Sequence, residues 1–263
     1  TLLGYHTRAE TDAETDRVRP LFDRFETAAA PTWRWAEHIV SDAPHVLIYP
    51  EVGSDQTAMQ LAALRLAPLQ VTTWGQPVTS GLPTLDAFLS SAAMEPEGAE
   101  ARYTETLVRL PGLGTALDPA QTTWGEPLPE GDAWAGFGFP AETLRFFCGM
   151  GTPKYHPAHD AVYARIARAV PGARFLFIDM LRRGTEMLWA RLHQAFQAEG
   201  LSAEAHCSFI PAMAPARYAA LVRDADVVLD TIGWSGFNTI VEAIRQAVPV
   251  VTLPGETMRS RHA

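Results

Sequence analysis

One stretch limits the fold more than any other: Ala225 to Arg261, ADVVLDTIGWSGFNTIVEAIRQAVPVVTLPGETMRSR. Asp226 to Asp230 is an apolar run of buried-strand length, and Ile240, Val241 and Ile244 then recur at helical spacing. Val248 to Leu253 is a second run rich in β-branched residues. The pattern is strand, tight polar turn, helix, strand. A turn in that position sits at the carboxyl end of a parallel strand, where α/β sheets bind ligands. Gly236 lets backbone and ligand approach closely. The helix that follows offers unpaired N–H groups and the positive end of its dipole to an anion, for which phosphate is the natural candidate. Glu242, one turn further in, repels phosphate but suits a ribose diol. The same spacing also fits a plain turn in which Asn238 or Thr239 caps the helix.

Charge and composition narrow the ligand. The net charge is −9, which argues against nucleic acid as the main partner because phosphate backbones require basic patches. Any bound phosphate must be held locally, by amides and one or two cations. The chain has 263 residues, 47% of them hydrophobic, enough for two ordinary domains with real cores. Its two cysteines, Cys148 and Cys207, fall in expected buried strands and read as small hydrophobes, not as a disulfide framework or a zinc site. No apolar run reaches membrane-spanning length and the first residues do not form a signal peptide, so a cytoplasmic protein is the expectation.

Upstream, the chain reads as alternating strands and helices. Thr1 to Tyr5 suggests a strand, and Val18, Leu21, Phe22 and Phe25 mark an amphipathic helix face. Helices are expected over Trp33–Val40 and Gln56–Leu66, and strands over His45–Tyr49, Leu69–Trp74, Ala87–Leu89 and Thr106–Leu110. Gly112 to Gly138, rich in Gly and Pro, reads as an interdomain connection. A second series follows: strand Leu144–Cys148, a glycine-bearing turn with Lys154, and a helix from Ala158 to Ala169 striped by Val162 and Ile166. Strand Arg174–Ile178, helix Glu186–Glu199 on Leu188, Leu192 and Phe196, strand Ala205–Ile210 and helix Ala214–Val222 complete it. The expected fold is α/β, two tandem Rossmann-like halves: residues 1–125 on the acceptor side, and 126–263 binding a nucleotide-sugar.

Two such halves suggest the GT-B glycosyltransferase architecture, with the halves facing each other across a cleft. The run YPEVGSDQTAMQLAALRLAPLQVTTWGQPVTSGLPTLDAFLSS, then MEPEGAEARYTETLVRLPGLG, FFCGMGTPKYHP and the Ala225–Arg261 stretch resemble the protein O-linked N-acetylglucosamine transferase family, in its bacterial SPINDLY-like branch. The matches keep family order from about residue 36 onward. The resemblance implies an inverting, metal-independent transfer of a sugar, N-acetylglucosamine first among the candidates, from a UDP-sugar to a protein side chain. It implies no cofactor, and partners limited to the UDP-sugar and an acceptor protein. It also implies further helices beyond Ala263 and helical tetratricopeptide-type repeats upstream.

Residue by residue, Lys154 matches the family's lysine at the nucleotide diphosphate. A fixed cation there stabilises the departing UDP more in the transition state than in the ground state. It is the only lysine in the chain. Gly236, Asn238 and Thr239 match the diphosphate turn, and Glu242 an acidic ribose-binding position. Tyr218 falls where the family sets a ring against uracil, a spacing that an ordinary core tyrosine fits equally. Thr79, Ser80 and Gly81 match the first-half loop that faces diphosphate and sugar. Phe237 stands where animal enzymes carry histidine. Gln76 stands where bacterial relatives carry histidine and cannot titrate in its place. For a general base the candidates are His38, His45 and Glu51, with His6 in reserve; His156, His159, His193 and His206 read as surface or packing residues. The rival readings are a nucleotide-sugar-binding relative without catalysis and an NAD-type oxidoreductase. No strand here is followed by Gly-X-Gly-X-X-Gly, which counts against the latter.

Overall fold

A computed structural model of the chain describes residues 1–50, 52–116, 128–140, 142–179 and 181–263. It divides into two compact units, Thr1–Thr115 and Ala116–Ala263. The boundary expected after residue 125, and Glu51, lie outside the described residues.

The first unit contains β1 (Leu3–His6), α1 (Ala13–Val18), β2 (Arg24–Thr27), α2 (Thr32–Asp42), β3 (Val46–Tyr49) and α3 (Gln56–Ala62). It closes with β4 (Leu69–Thr73), β5 (Ala87–Ser91) and β6 (Thr106–Leu110). Strands β3-β4-β5-β6 form a parallel sheet in sequential order, and β1-β2 a separate parallel pair. Trp35, Ile39, Leu47, Tyr49 and Leu61 centre its core. The single helix face expected over 18–25 is not formed. Helix α1 ends at Val18, a 3-10 turn spans Arg19–Leu21, and Phe25 lies in β2 opposite Gly4. Pro20, which has no N–H and fixes its own φ, marks the break.

The second unit contains β7 (Leu144–Cys148), α4 (Ala161–Ala169), β8 (Ala173–Asp179), α5 (Arg182–Ala198), α6 (Ala203–His206) and β9 (Cys207–Pro211). It continues with α7 (Pro215–Arg223), β10 (Val227–Leu229), α8 (Asn238–Arg245) and β11 (Val250–Val251). All five strands are parallel, in the order β11-β10-β7-β8-β9. Phe147, Phe175, Leu176 and Phe177 are fully buried at its centre. From β7 the chain winds outward through β8 and β9, then returns to the other flank of β7 as β10. The direction of winding therefore reverses between β7 and β10, and the loops leaving their carboxyl ends diverge around a crevice.

Three expectations shift. Helix α4 buries Tyr163, Ala164 and Ala167; of the expected stripe, Ile166 packs half-buried against the core and Val162 is half-buried. Ala203–His206 is a helical turn, so β9 begins only at Cys207. Helix α8 buries Ile240 and Ala243 together with Glu242, whereas Ile244 is exposed and Val241 half-buried.

Candidate active site at the β7/β10 crevice

The turn after β10 is built on Asp230. This carboxylate is buried and accepts three hydrogen bonds: from Ser235 Oγ at 2.6 Å, from the Gly236 N–H at 2.9 Å and from Thr252 Oγ1 at 2.8 Å. It thereby ties the end of β10, the glycine turn and the segment after β11 together. Gly236 does not need a left-handed backbone. Its lack of a side chain makes room instead: an added Cβ would lie 2.2 Å from Met150 Cε and 2.6 Å from Met150 Sδ and would have to push the end of that side chain aside. Met150, in the turn after β7, is itself buried. So the two diverging loops pack on each other through a glycine and a methionine.

Helix α8 starts immediately after that turn. No side chain caps it, so Asn238 and Thr239 occupy its first turn as helical residues and the capping alternative does not hold. The first intrahelical bond runs from the Val241 N–H to Phe237 O. The preceding amides are the ones a helix start leaves to an outside partner.

Lys154 arrives from the other loop, at the end of a 3-10 turn over Thr152–Lys154. Its Nζ donates to Ser235 O at 3.0 Å and sits 5.6 Å from the centre of the Trp234 ring. Lys154 and the Gly236 turn, 81 residues apart in sequence at the Ser235 contact, are therefore neighbours. Burial lowers the Lys154 pKa below the ordinary lysine value, and the negative charge of Asp230 opposes the fall. An ammonium has three donors, and one is used on Ser235. Lys154 lines a cavity of about 520 Å³ together with Trp234, Arg259, His156 and His159. His262 is close by, and its pKa falls to about 4, through burial first and the Lys154 charge second.

Tyr218, on α7, meets the same loop at Gly149. Its hydroxyl donates to Gly149 O at 3.4 Å and its ring meets Phe147 edge-on at 5.3 Å. Burial pushes its pKa up to about 12; a hydrogen bond with Thr239 opposes this and the Glu242 charge adds to it. Tyr218, Thr239 and Glu242 are thus one local group. Glu242 is only 3% exposed and accepts from Gln246 Nε2 at 2.8 Å.

In the first unit, Thr79, Ser80 and Gly81 form an ordered loop held by Glu105, a residue to which the sequence assigns no role. Thr79 Oγ1 donates to Glu105 Oε2 at 2.7 Å, the Ser80 N–H donates to Oε1 at 2.8 Å, and Ser80 Oγ also donates to Oε1. Burial works to raise the Glu105 pKa, but the Ser80 and Thr79 bonds outweigh it and hold the carboxyl below its usual value. Both loop hydroxyls are therefore committed to Glu105, and Gly81, at φ +69°, supplies the left-handed step. Of the base candidates, His38 Nε2 lies 2.9 Å from Glu26 Oε2 without a hydrogen bond and His45 is exposed. His6 Nδ1 lies 3.0 Å from Arg8 O. His206 is a packing residue, buried with Nδ1 2.9 Å from Ala173 O. Among the described residues no group of three or more His, Cys, Asp or Glu side chains is arranged to hold a metal ion, and no helix is long and apolar enough to cross a membrane.

Two parallel-sheet α/β units, the second with a switch-point crevice carrying a cation and an open helix start, have the make-up of the GT-B fold. The solved O-GlcNAc transferase of Thermobaculum terrenum, in a lysine-to-methionine variant, superposes with a TM-score of 0.80 at 27% identity, over 99% of this chain and 48% of that one. Among curated sequences, the probable UDP-N-acetylglucosamine–peptide N-acetylglucosaminyltransferase SPINDLY of Petunia hybrida is 29% identical over 196 residues, covering 74% of this chain and 20% of its own length. The corresponding SEC protein of Arabidopsis thaliana is 25% identical over 262 residues, covering 91% of this chain and 26% of its own. No family model matches. In sequence and fold the chain is similar to protein O-GlcNAc transferases, SPINDLY proteins among them. It spans about a fifth of the length of the SPINDLY relatives.

Proposed function

We propose that this chain is the catalytic region of a protein glycosyltransferase that moves a sugar, N-acetylglucosamine first among the candidates, from a UDP-sugar to a protein side chain with inversion. The observation that carries the reading is the Lys154–Ser235 contact at 3.0 Å, which sets a half-buried cation beside the uncapped start of α8. An incoming diphosphate replaces the Ser235 carbonyl as partner of Lys154 and takes the free amides of Asn238 and Thr239. As the sugar–phosphate bond breaks, charge grows on the departing oxygen, and a cation and dipoles already in place stabilise it without reorganisation. Glu242 takes the ribose hydroxyls and Tyr218 meets the base. Thr79, Ser80 and Gly81 keep the donor-facing role that the family resemblance gives them, in a loop that Glu105 holds in shape within the first unit.

The reaction needs no metal in this reading, since Lys154 and the α8 amides supply the positive charge at the leaving group. The two free, buried cysteines suit a reducing, cytoplasmic setting, and Phe237-Asn238-Thr239 supports the bacterial branch. The test is UDP release and acceptor mass. Co-expression with a candidate acceptor and intact-mass analysis reads sugar and acceptor together, with Lys154→Ala as the comparison. A mass gain that Lys154→Ala abolishes supports transfer. UDP binding with no turnover on any donor supports the non-catalytic relative instead, and absence of UDP binding ends the reading.

A further inference from the structure

The cavity at Lys154 contains a second cation that neither the sequence motifs nor the family relationship assigns. Arg259 lies on the turn Met258–Ser260, and its backbone is fixed: Arg259 O accepts from the Ser235 N–H at 2.9 Å, inside the glycine turn. Its guanidinium carbon is 5.1 Å from the centre of the Trp234 ring, the same ring that Lys154 Nζ approaches at 5.6 Å. An indole face attracts cations, so one aromatic side chain gathers both. Arg145, Arg165, Arg168, Arg182, Arg191 and Arg223 of this unit are each ion-paired with a carboxylate. Arg259 and Lys154 have no such partner among the described residues, and Arg259 Nε is buried without a hydrogen bond. Asp230, the carboxylate whose charge reaches Lys154, has its oxygens bonded to Ser235, Gly236 and Thr252. Two positive charges, neither in an ion pair among the described residues, therefore line one cavity of about 520 Å³ in a chain of net charge −9.

We propose that Arg259 is a second phosphate-binding cation, gripping the diphosphate of the nucleotide donor beside Lys154 with Trp234 as the ring that positions both. The proposal rests on the diphosphate reading above. Lysine provides a point charge. Arginine adds a planar fork that matches two phosphate oxygens at once. A pair of cations suits an anion of more than one charge better than a single carboxylate.

The test is calorimetric titration of the whole chain with UDP, inorganic pyrophosphate and uridine. Wild type, Arg259→Met, Arg259→Gln and Lys154→Met are compared. We expect Arg259→Met to weaken UDP and pyrophosphate by roughly tenfold, the scale of one charge-assisted bond, and to leave uridine unchanged. Arg259→Gln, which keeps a polar head on a flexible stem without the charge, shows the same pattern and carries the test if the methionine variant loses uridine as well. If both Arg259 variants bind UDP and pyrophosphate as wild type does while Lys154→Met weakens them, Arg259 has no such role and the diphosphate site itself stands. If the wild type binds neither ligand, the site reading falls and this proposal falls with it.

Discussion

Asp230→Ala tests whether the glycine turn is held by one carboxylate. The native side chain accepts from Ser235 Oγ, the Gly236 N–H and Thr252 Oγ1, at 2.6, 2.9 and 2.8 Å. Thr252 is exposed, so its hydroxyl finds water after the change. Ser235 is 1% exposed and Gly236 is buried, so the Gly236 N–H is left without a partner and Ser235 Oγ with only the Gly236 carbonyl at 3.5 Å. At about 1–3 kcal/mol for each stranded buried donor, with some relaxation, the expected loss is about 3 kcal/mol. Asp230→Asn keeps an acceptor for Gly236 and loses only charge assistance, costing about 1 kcal/mol. Hydrogen exchange at the Gly236 amide reads this locally. The alanine variant should exchange roughly a hundredfold faster and the asparagine variant a few-fold faster, since each 1.4 kcal/mol is a factor of ten. An alanine variant whose Gly236 amide exchanges at the wild-type rate refutes the argument. The same substitution removes the charge that opposes the Lys154 shift, so the Lys154 pKa should drop further, as read by NMR of its ε-methylene.

Further expectations concern charge and pH. His262 titrates near pH 4 in the fold against an ordinary value of 6.5, so the unfolded chain binds the extra proton between those limits. Stability from this group is complete above pH 6.5 and falls as pH drops toward 4, and His262→Gln should flatten that slope in urea denaturation. Lys154 carries the same sign at alkaline pH: between its lowered pKa and 10.5 the unfolded state holds more protons, so stability rises with pH there. Lys154→Met should remove that rise, measured as the difference from wild type because the tyrosines titrate in the same range. Glu105→Ala should free the 79–81 loop, raising amide exchange at Ser80 by at least tenfold, with about 1–3 kcal/mol lost for the stranded Ser80 donor. A protected Ser80 amide in that variant would show that the loop is held by something else.

Much of the second unit is legible from sequence because its signals are local. The apolar runs of β7, β8 and β10 are bounded by glycine, proline or charge, and Leu188, Leu192 and Phe196 keep strict helical spacing on a face that is indeed buried. Helix α4 is only half legible, because hydropathy favours Val162 and Ile166, of which Ile166 packs against the core but neither is fully buried. The sheet instead takes the helix face with small Ala164 and Ala167, beside Tyr163, which lets helix and strand approach closely. Val18, Leu21, Phe22 and Phe25 have helical spacing, but Pro20 interrupts it and Phe25 is recruited by a parallel partner across about twenty residues of chain. Lys154 and Gly236 were readable as a pair because each lies at the end of an expected strand. Glu105 and Asp230 were not. A lone acidic residue beside a strand has no periodic signature, and Glu105 meets its loop 25 residues away in sequence. Arg259 is similar: its place depends on a turn folding back onto Ser235, which no spacing encodes.

The solitary lysine has a practical consequence. Apart from the terminal amine, Lys154 is the only primary amine in the 263 residues, and its lowered pKa leaves more of it unprotonated than a surface lysine would be at the same pH. Amine-selective acylating reagents therefore have a single internal target, in the wall of the crevice itself. The rate at which that target is modified, followed by the mass of one peptide, becomes a direct gauge of whether anything occupies the crevice.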